Sequence, residues 1–325
     1  MQHYPQSDLI ALAERACLAC GAGADMAQSL ARASVSACRA GRQEVGLAHL
    51  IDHLHSLREG RIRGAAQPRI DSPAPALMRI DADGGVAQHG FDLAFAELAQ
   101  RAQDFGLALL VQRNCYPAGE LGYFVRRLAE SGLIGLAAGN AHALMAVAAG
   151  GGKAFSTNPL AFAAPLPADR PPLVIDQASS ATAFVNILRA AAAGQNLPEG
   201  WAQDVHRRPT TDPTAAITGA LLPFGGYKGA NIALMVEVLA AGLTGGRWSL
   251  DTGHFLTGHE PPGSGMVVLA LSPGLCAPDF PGRLSAQLDR LAALGLHVPG
   301  QRQARPEAVP VDPKVIDELT RLAGG

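Results

Sequence analysis

From Phe91 to Leu294 the chain keeps switching between two kinds of hydrophobic pattern. Longer stretches with apolar residues at helical spacing cover 91–104, 121–131, 182–193, 231–243 and 284–294. Between them lie short continuous apolar runs at 107–112, 133–138, 160–164, 173–176 and 266–271. Such runs read as strands buried on both faces. A chain that alternates them with amphipathic helices is restricted to an α/β fold with a sizeable sheet. Ahead of this region, 8–20, 25–38 and 45–59 read as amphipathic helices, broken at Gly21-Ala22-Gly23 and at Gly41. Segment 70–80 is extended, and Asp81-Ala82-Asp83-Gly84-Gly85 turns it. Asp312-Pro313 opens a last helix to Leu322, with proline in the first turn, where no backbone donor is needed. The division expected is an N-terminal helical segment 1–75, an α/β core 76–300 and a C-terminal arm 301–325.

An α/β chain often binds a dinucleotide through a G-x-G-x-x-G turn between a strand and a helix, and this chain has none. Gly150-Gly151-Gly152-Lys153 is not a P-loop: its first glycine would fall on Val147, and Ala154 replaces the hydroxyl residue. The glycine-rich turn that remains is Leu221-Leu222-Pro223-Phe224-Gly225-Gly226-Tyr227-Lys228-Gly229, followed directly by the apolar stretch to Leu243. A glycine pair allows a sharp turn. The helix behind it points free N–H groups and its positive dipole end forward, and Lys228 adds a full charge. This corner suits a phosphate or carboxylate; the alternative is a turn whose lysine is merely solvated.

Charged residues make up 17% of the 325 residues, against roughly 25% in an average domain. So little charge suggests a surface partly covered by a second copy, and a homodimer is expected. The net charge of −2 gives no reason to expect nucleic acid or an anionic membrane as partner. No apolar run reaches the about 18 residues of a membrane span. No basic segment leads into an apolar run at the N-terminus, so no secretory leader is expected. Five cysteines are a sparse, odd set that fits a reducing cytoplasm. Cys17-x-x-Cys20 sits within a helical stretch with no second pair, so both read as small buried hydrophobes. His49 and His53 stand one helical turn apart with Asp52 adjacent, but nothing completes an obvious ligand set, and no metal is expected.

Several further pieces join the glycine corner in order. They are Thr157-Asn158-Pro159, Asp176-Gln177-Ala178-Ser179-Ser180, Pro198-Glu199-Gly200-Trp201 with Pro209-Thr210-Thr211, and Val298-Pro299-Gly300. Together they resemble the malate/L-lactate dehydrogenase family, whose fold is not of the Rossmann type, over nearly the whole chain. Within that family they are most similar to the Δ1-piperideine-2-carboxylate/Δ1-pyrroline-2-carboxylate reductases. The resemblance implies a mixed sheet, a dimer, and an oxidoreductase using NADPH or NADH. It implies that the cofactor lies along Asp176, Gln177 and Ala178, the Tyr227-Lys228 corner, the loop Pro117, Ala118, Gly119, Glu120 and Leu121, and the Pro299-Gly300 turn. Thr157 would then hold a substrate carboxylate. Lys153, Arg189 and Arg302 are the cations open to a 2′-phosphate.

The departures carry as much information. Where the family has S-H-G-x-x-R, this chain reads Glu44-Val45-Gly46-Leu47-Ala48-His49. Val45 has no proton to give, and His49 stands in the place of the carboxylate-gripping arginine. The family aspartate thought to assist the histidine falls on Asn186. The S-x-H-F loop becomes Cys115-Tyr116-Pro117-Ala118. Reducing a ketone places negative charge on oxygen, so a proton donor is worth on the order of 10²–10⁴ in rate. A protonated cyclic imine is already cationic and leaves a neutral amine after taking hydride. The expected activity is therefore reduction of a preformed imine. Glu44 would stabilise the cation, His49 would partly replace the arginine, and Tyr116 would act as a substitute acid or a stacking surface. The alternative is a family fold that has left redox chemistry for a non-redox or binding role. The retained segment 176–180 and Lys228 favour the first.

Overall fold

In the computed structural model, which describes residues 1–300 and 308–324, strand β1 (Gln2–Pro5) leads into helices α1 (Gln6–Ala19) and α2 (Ala24–Arg39). A 3-10 turn over Gln43–Val45 precedes α3 (Leu47–Arg58). The helix expected over 45–59 thus starts two residues late, because Gly46 sits at φ −95°, ψ −129°, outside the helical region. A Cβ on residue 46 would lie 2.4 Å from Cys38 Sγ. Without one, the turn closes onto α2, and the thiol accepts the Leu47 N–H at 3.3 Å.

The expected extended stretch is a hairpin of β2 (Arg69–Ala74) and β3 (Leu77–Asp81). Then follow α4 (Ala87–Phe105), β4 (Leu107–Cys115), α5 (Gly122–Glu130) and β5 (Ile134–Gly139). The short strands β6 (Met145–Ala146) and β7 (Lys153–Phe155) come next, ahead of β8 (Leu160–Ala164) and β9 (Leu173–Gln177). Helix α6 (Phe184–Ala193) precedes β10 (Ala202–Gln203), β11 (Pro209–Thr210), α7 (Pro213–Thr218) and β12 (Ala220–Leu221). Helix α8 (Tyr227–Glu237) runs on as a π-helical turn over Val238–Leu243. The described chain closes with β13 (Ser264–Leu271), α9 (Pro273–Cys276), α10 (Phe280–Ala293), β14 (Ala308–Val311) and α11 (Pro313–Leu322).

The main sheet has the order β2-β3-β4-β13-β5-β8-β9 and is mixed: β3 and β4 are parallel, and the other neighbours antiparallel. Strand β13 shows why its sequence is continuously apolar. Met266, Val268 and Ala270 pack with Phe91, Leu98, Phe124 and Leu128 of α4 and α5, while Val267 packs with Val236 and Ala240 of α8 and its π turn. Both faces of the sheet are covered, as expected of an α/β layer arrangement. A second sheet, β11-β10-β12-β6-β7, is built of strands of two or three residues, too short to show any alternation in sequence. Strand β14 pairs antiparallel with β1, and α11 joins α1, α2 and α3 in a core holding Leu30, Leu50, Leu54, Leu319 and Leu322. None of the helices among the described residues is long and apolar enough to cross a membrane.

Candidate active site

Strands β4, β5 and β9 end, and β8 and β13 begin, at one end of the main sheet. A cavity of about 430 Å³ opens there, within the size range of small-molecule sites. Its walls come from the 3-10 turn and α3, the loop after β4, the segments flanking β5 and β8, the end of β9, the first turns of α6, and the start of β13.

Thr157 reaches this cavity because its neighbour is locked. Asn158 is fully buried in the left-handed region (φ 37°) and donates through Nδ2 to Ala233 O and Glu237 Oε2, both at 2.8 Å. Glu237 is itself buried and accepts from Ser249 N (2.6 Å) and Ser249 Oγ (2.7 Å). The T-N-P segment is therefore a backbone corner held by a carboxylate from α8.

His49, on the first turns of α3, faces the cavity, and its Nδ1 lies 2.9 Å from Asp52 Oδ2. A carboxylate only accepts, so Nδ1 carries the hydrogen and Nε2 is left for the cavity side. The loop after β4 lies close against this ring: a Cβ on Gly119 (φ 72°) would be 3.1 Å from His49 Cδ2 and 3.5 Å from Nε2. Burial opposes ionisation of Asp52, but the hydrogen bond and charge of His49 outweigh it and hold the carboxyl below the usual carboxylate range. His53, one turn on, is pushed down to about 3 by burial and is neutral; its Nδ1 donates to His49 O at 3.0 Å.

Glu44 and Val45 line the cavity from the 3-10 turn, and Glu44 Oε1 lies 3.5 Å from Arg42 Nε. Arg42 also lines the cavity and reaches Asp176 O at 3.4 Å. The Asp176 carboxyl faces the same space and accepts the Gly122 N–H at 2.8 Å. Burial, reinforced by the charge of Glu120, pushes it up to about 6. The Tyr116 ring forms part of the wall, but its hydroxyl points into the core, 3.0 Å from both Ser56 Oγ and Phe255 O, and burial pushes it up to about 12. What Tyr116 offers the cavity is a ring surface.

Of the residues singled out from sequence, Glu44, His49, Tyr116, Thr157, Asp176, Gln177, Ala178, Arg189 and the loop 117–121 line this one cavity. The others stand apart from it. Asn186 donates to Thr182 Oγ1 (3.0 Å) in the first turn of α6. Lys153 reaches Thr218 O at 3.4 Å across the smaller sheet. Tyr227 and Lys228 open α8 after Gly225 (φ 56°) and Gly226 (φ 66°), as the turn signal implies, but both side chains are exposed. Backbone bonds join that corner to the end of β9: Phe224 N to Ser179 O at 3.1 Å and Ala181 N to Leu222 O at 2.7 Å. Pro299-Gly300 packs by the start of β9, where Gly300 lies close to Pro172 O and Val174. Arg302 lies outside the described residues.

Three further wall residues, Asp52, Arg42 and Ser264, matter to the chemistry without an earlier assignment. Asp52 was signalled by its i,i+3 spacing from His49 on a helix. Arg42 lies in a turn, and Ser264, whose Oγ is buried without a protein partner, opens β13; neither position has a pattern to find. Cys17 and Cys20 are buried and free. Among the described residues no group of three or more His, Cys, Asp or Glu could hold a metal ion.

Comparison with known proteins agrees with this architecture. The profile of the malate/L-lactate dehydrogenase family matches residues 4–320. A Δ1-pyrroline-2-carboxylate/Δ1-piperideine-2-carboxylate reductase of Pseudomonas putida is 36% identical over 316 residues, covering 94% of this chain and 92% of the relative. A (2R)-3-sulfolactate dehydrogenase (NADP(+)) of Chromohalobacter salexigens is 36% identical over 304 residues, covering 91% of each. The crystal structure of Δ1-piperideine-2-carboxylate reductase from Pseudomonas syringae superposes with a TM-score of 0.93 at 32% identity, covering 99% of this chain and 100% of that one. The chain belongs to the malate/L-lactate dehydrogenase family and is an oxidoreductase.

Proposed function

We propose that this protein is an NAD(P)H-dependent reductase of a preformed cyclic imine that carries a carboxylate. The observation that carries the proposal is a cavity whose cations and anions suit such a substrate, next to Val45 where the family resemblance places a proton-donating histidine. Arg42 and Thr157 offer a positive charge and a hydroxyl donor to the carboxylate. Glu44 and Asp176 place negative charge near a ring nitrogen that is positive when protonated. The relatives named as reductases of five- and six-membered cyclic imine carboxylates support this substrate class.

The cavity also fits a nicotinamide ring. Its volume is adequate, and the Ser264 hydroxyl, buried in its wall without a protein partner, is free to bond a polar ligand atom. Pro117 to Leu121, Gln177 and Ala178 would hold that end of the cofactor, and the exposed Tyr227 and Lys228 would meet its phosphates. When bound, the reduced cofactor supplies hydride. Lys153 reaches Thr218 O and Arg189 lines the cavity given to the nicotinamide end, so neither selects between the two nucleotides, and the reductant proposed is NADPH or NADH.

The working form proposed is a homodimer. Helix α8 and its π turn expose Leu234, Met235, Val238 and Leu243, all between 51% and 59% accessible, and a face of this kind is unusual on a monomer. The test of the catalytic reading is titration of the purified protein with NADPH and NADH, followed by turnover of a cyclic imine 2-carboxylate and of open-chain 2-keto acids. Binding with faster imine turnover is expected; binding with faster keto-acid turnover overturns the reading.

A further inference from the structure

We propose that His49 delivers the proton to the imine nitrogen and that Asp52 positions it to do so. The duty of residue 45 would then have moved one helical turn along the chain. This rests on the cyclic-imine reading above.

The geometry is that of an acid with its orienting partner. Asp52 Oδ2 fixes the ring through Nδ1 at 2.9 Å, which leaves Nε2 for the cavity, beside the Gly119 backbone. The hydrogen bond is local to one helix, three residues apart, so it needs no long-range packing to form. Asp52 is held in its charged form and therefore stabilises the protonated imidazole. Neutral His53 meets the His49 ring edge-on at 4.8 Å and holds the His49 carbonyl, so it braces the helix without competing for the proton. The charged groups that line the cavity with His49 are Asp52 on its own helix, Arg42 and Glu44 on the 3-10 turn, Glu120 on the loop after β4, Asp176 at the end of β9 and Arg189 on α6. Arg42 supplies a permanent cation for the carboxylate, which frees His49 from that task.

The step is a proton transfer. The Nε2–H bond of the imidazolium breaks as an N–H bond forms on the neutral imine, giving an iminium and a neutral imidazole. No electrons leave the protein. His49 recovers its proton from water, and the iminium is the species that accepts hydride.

The experiment is steady-state turnover of a six-membered cyclic imine 2-carboxylate across pH by wild type, His49→Asn, His49→Gln, Asp52→Asn and Arg42→Gln. Both His49 variants are expected to lose roughly 10²-fold or more in kcat at alkaline pH. The loss should be smaller in acid, where the imine arrives protonated, and KM should stay within about threefold. Asp52→Asn is expected to lose about tenfold and to move the alkaline limb of the kcat profile to lower pH, a change that a packing role would not produce. Calorimetric titration with L-proline gives a second reading: His49→Asn should keep its affinity and Arg42→Gln should lose it. If His49→Asn instead raises KM or weakens L-proline binding with kcat unchanged, His49 is a carboxylate anchor and the proposal falls. If wild type fails to reduce imines at all, the functional reading falls and takes the proposal with it.

Discussion

The side-chain amide of Asn158 donates to the Glu237 carboxylate at 2.8 Å inside the protein, and this bond fixes the backbone that presents Thr157 to the cavity. Replacing Glu237 by Ala would strand the Ser249 N–H and hydroxyl and one amide hydrogen of Asn158. Leaving such buried donors unpaired costs on the order of 3–5 kcal/mol. A loss of that size in the free energy of urea unfolding is expected, with KM for the carboxylate substrate rising together with it. Asn158→Ala should show the same rise in KM, because residue 158 would lose both anchors of its left-handed conformation.

Gly46 is the second sharp constraint. With Cys38 Sγ 2.4 Å, Ser34 O 3.0 Å and Cys38 N 3.1 Å from where a Cβ would stand, Gly46→Ala should destabilise by about 1–3 kcal/mol through overpacking. The pairing variant Cys38→Ala with Gly46→Ala should recover part of that loss, since the shortest clash is with the thiol. Thermal unfolding of the single and double variants checks both.

Acid stability follows from three buried groups. His53 and His142 are both depressed to about 3 from 6.5, chiefly by burial, so the stability they represent is full above 6.5 and drains away as pH falls toward 3. Asp176 is raised to about 6 from 3.8, so between those values the folded chain holds one proton more there than the unfolded chain does. Counting these three groups alone, between pH 4 and pH 6 the unfolded chain gains two protons on histidine and the folded chain one on Asp176, a net difference of one, and His89 and His254, also held down by burial, add to it in the same direction. Stability should rise with pH there by roughly 1 kcal/mol per unit. His53→Gln, which keeps a donor for the His49 carbonyl, should flatten that slope, and Asp176→Asn should steepen it. Unfolding midpoints measured across this range decide the matter.

The exposed face of α8 gives a prediction about assembly. Sedimentation of the wild type is expected to report twice the chain mass of 33.6 kDa. Val238→Lys and Leu234→Glu should shift it to one. A monomeric wild type at micromolar concentration would remove the dimer.

The sequence made the layer arrangement legible because each long helix and buried strand carries its own period, as β13 does with residues packed on both faces. It hid the smaller sheet, whose strands of two or three residues have no period to read. Within the site, His49 and Glu44 stood out by position in a motif, and Thr157 by its neighbours. Arg42 did not stand out, because a turn residue's direction is set by the path of the backbone and not by local spacing. Tyr116 shows the opposite case: its identity suggested chemistry, while its hydroxyl is committed to Ser56 and Phe255 in the core. Lys228 sits at a helix start as the pattern implied, yet its exposure could be known only from the packing of α8.

Strand β1 finds its partner in β14, so Gln2 faces Val311 across the ladder and Pro5 faces Ala308. A ribosome adding about 5–20 residues per second leaves β1 without that partner for roughly 15–60 seconds. During that interval the first helices stand without α11, and the apolar side chains that Leu319 and Leu322 will cover are open to water. The segment from β1 to α3 is therefore where nascent chains should need cover longest, since it is made well before the strand and helix that close over it.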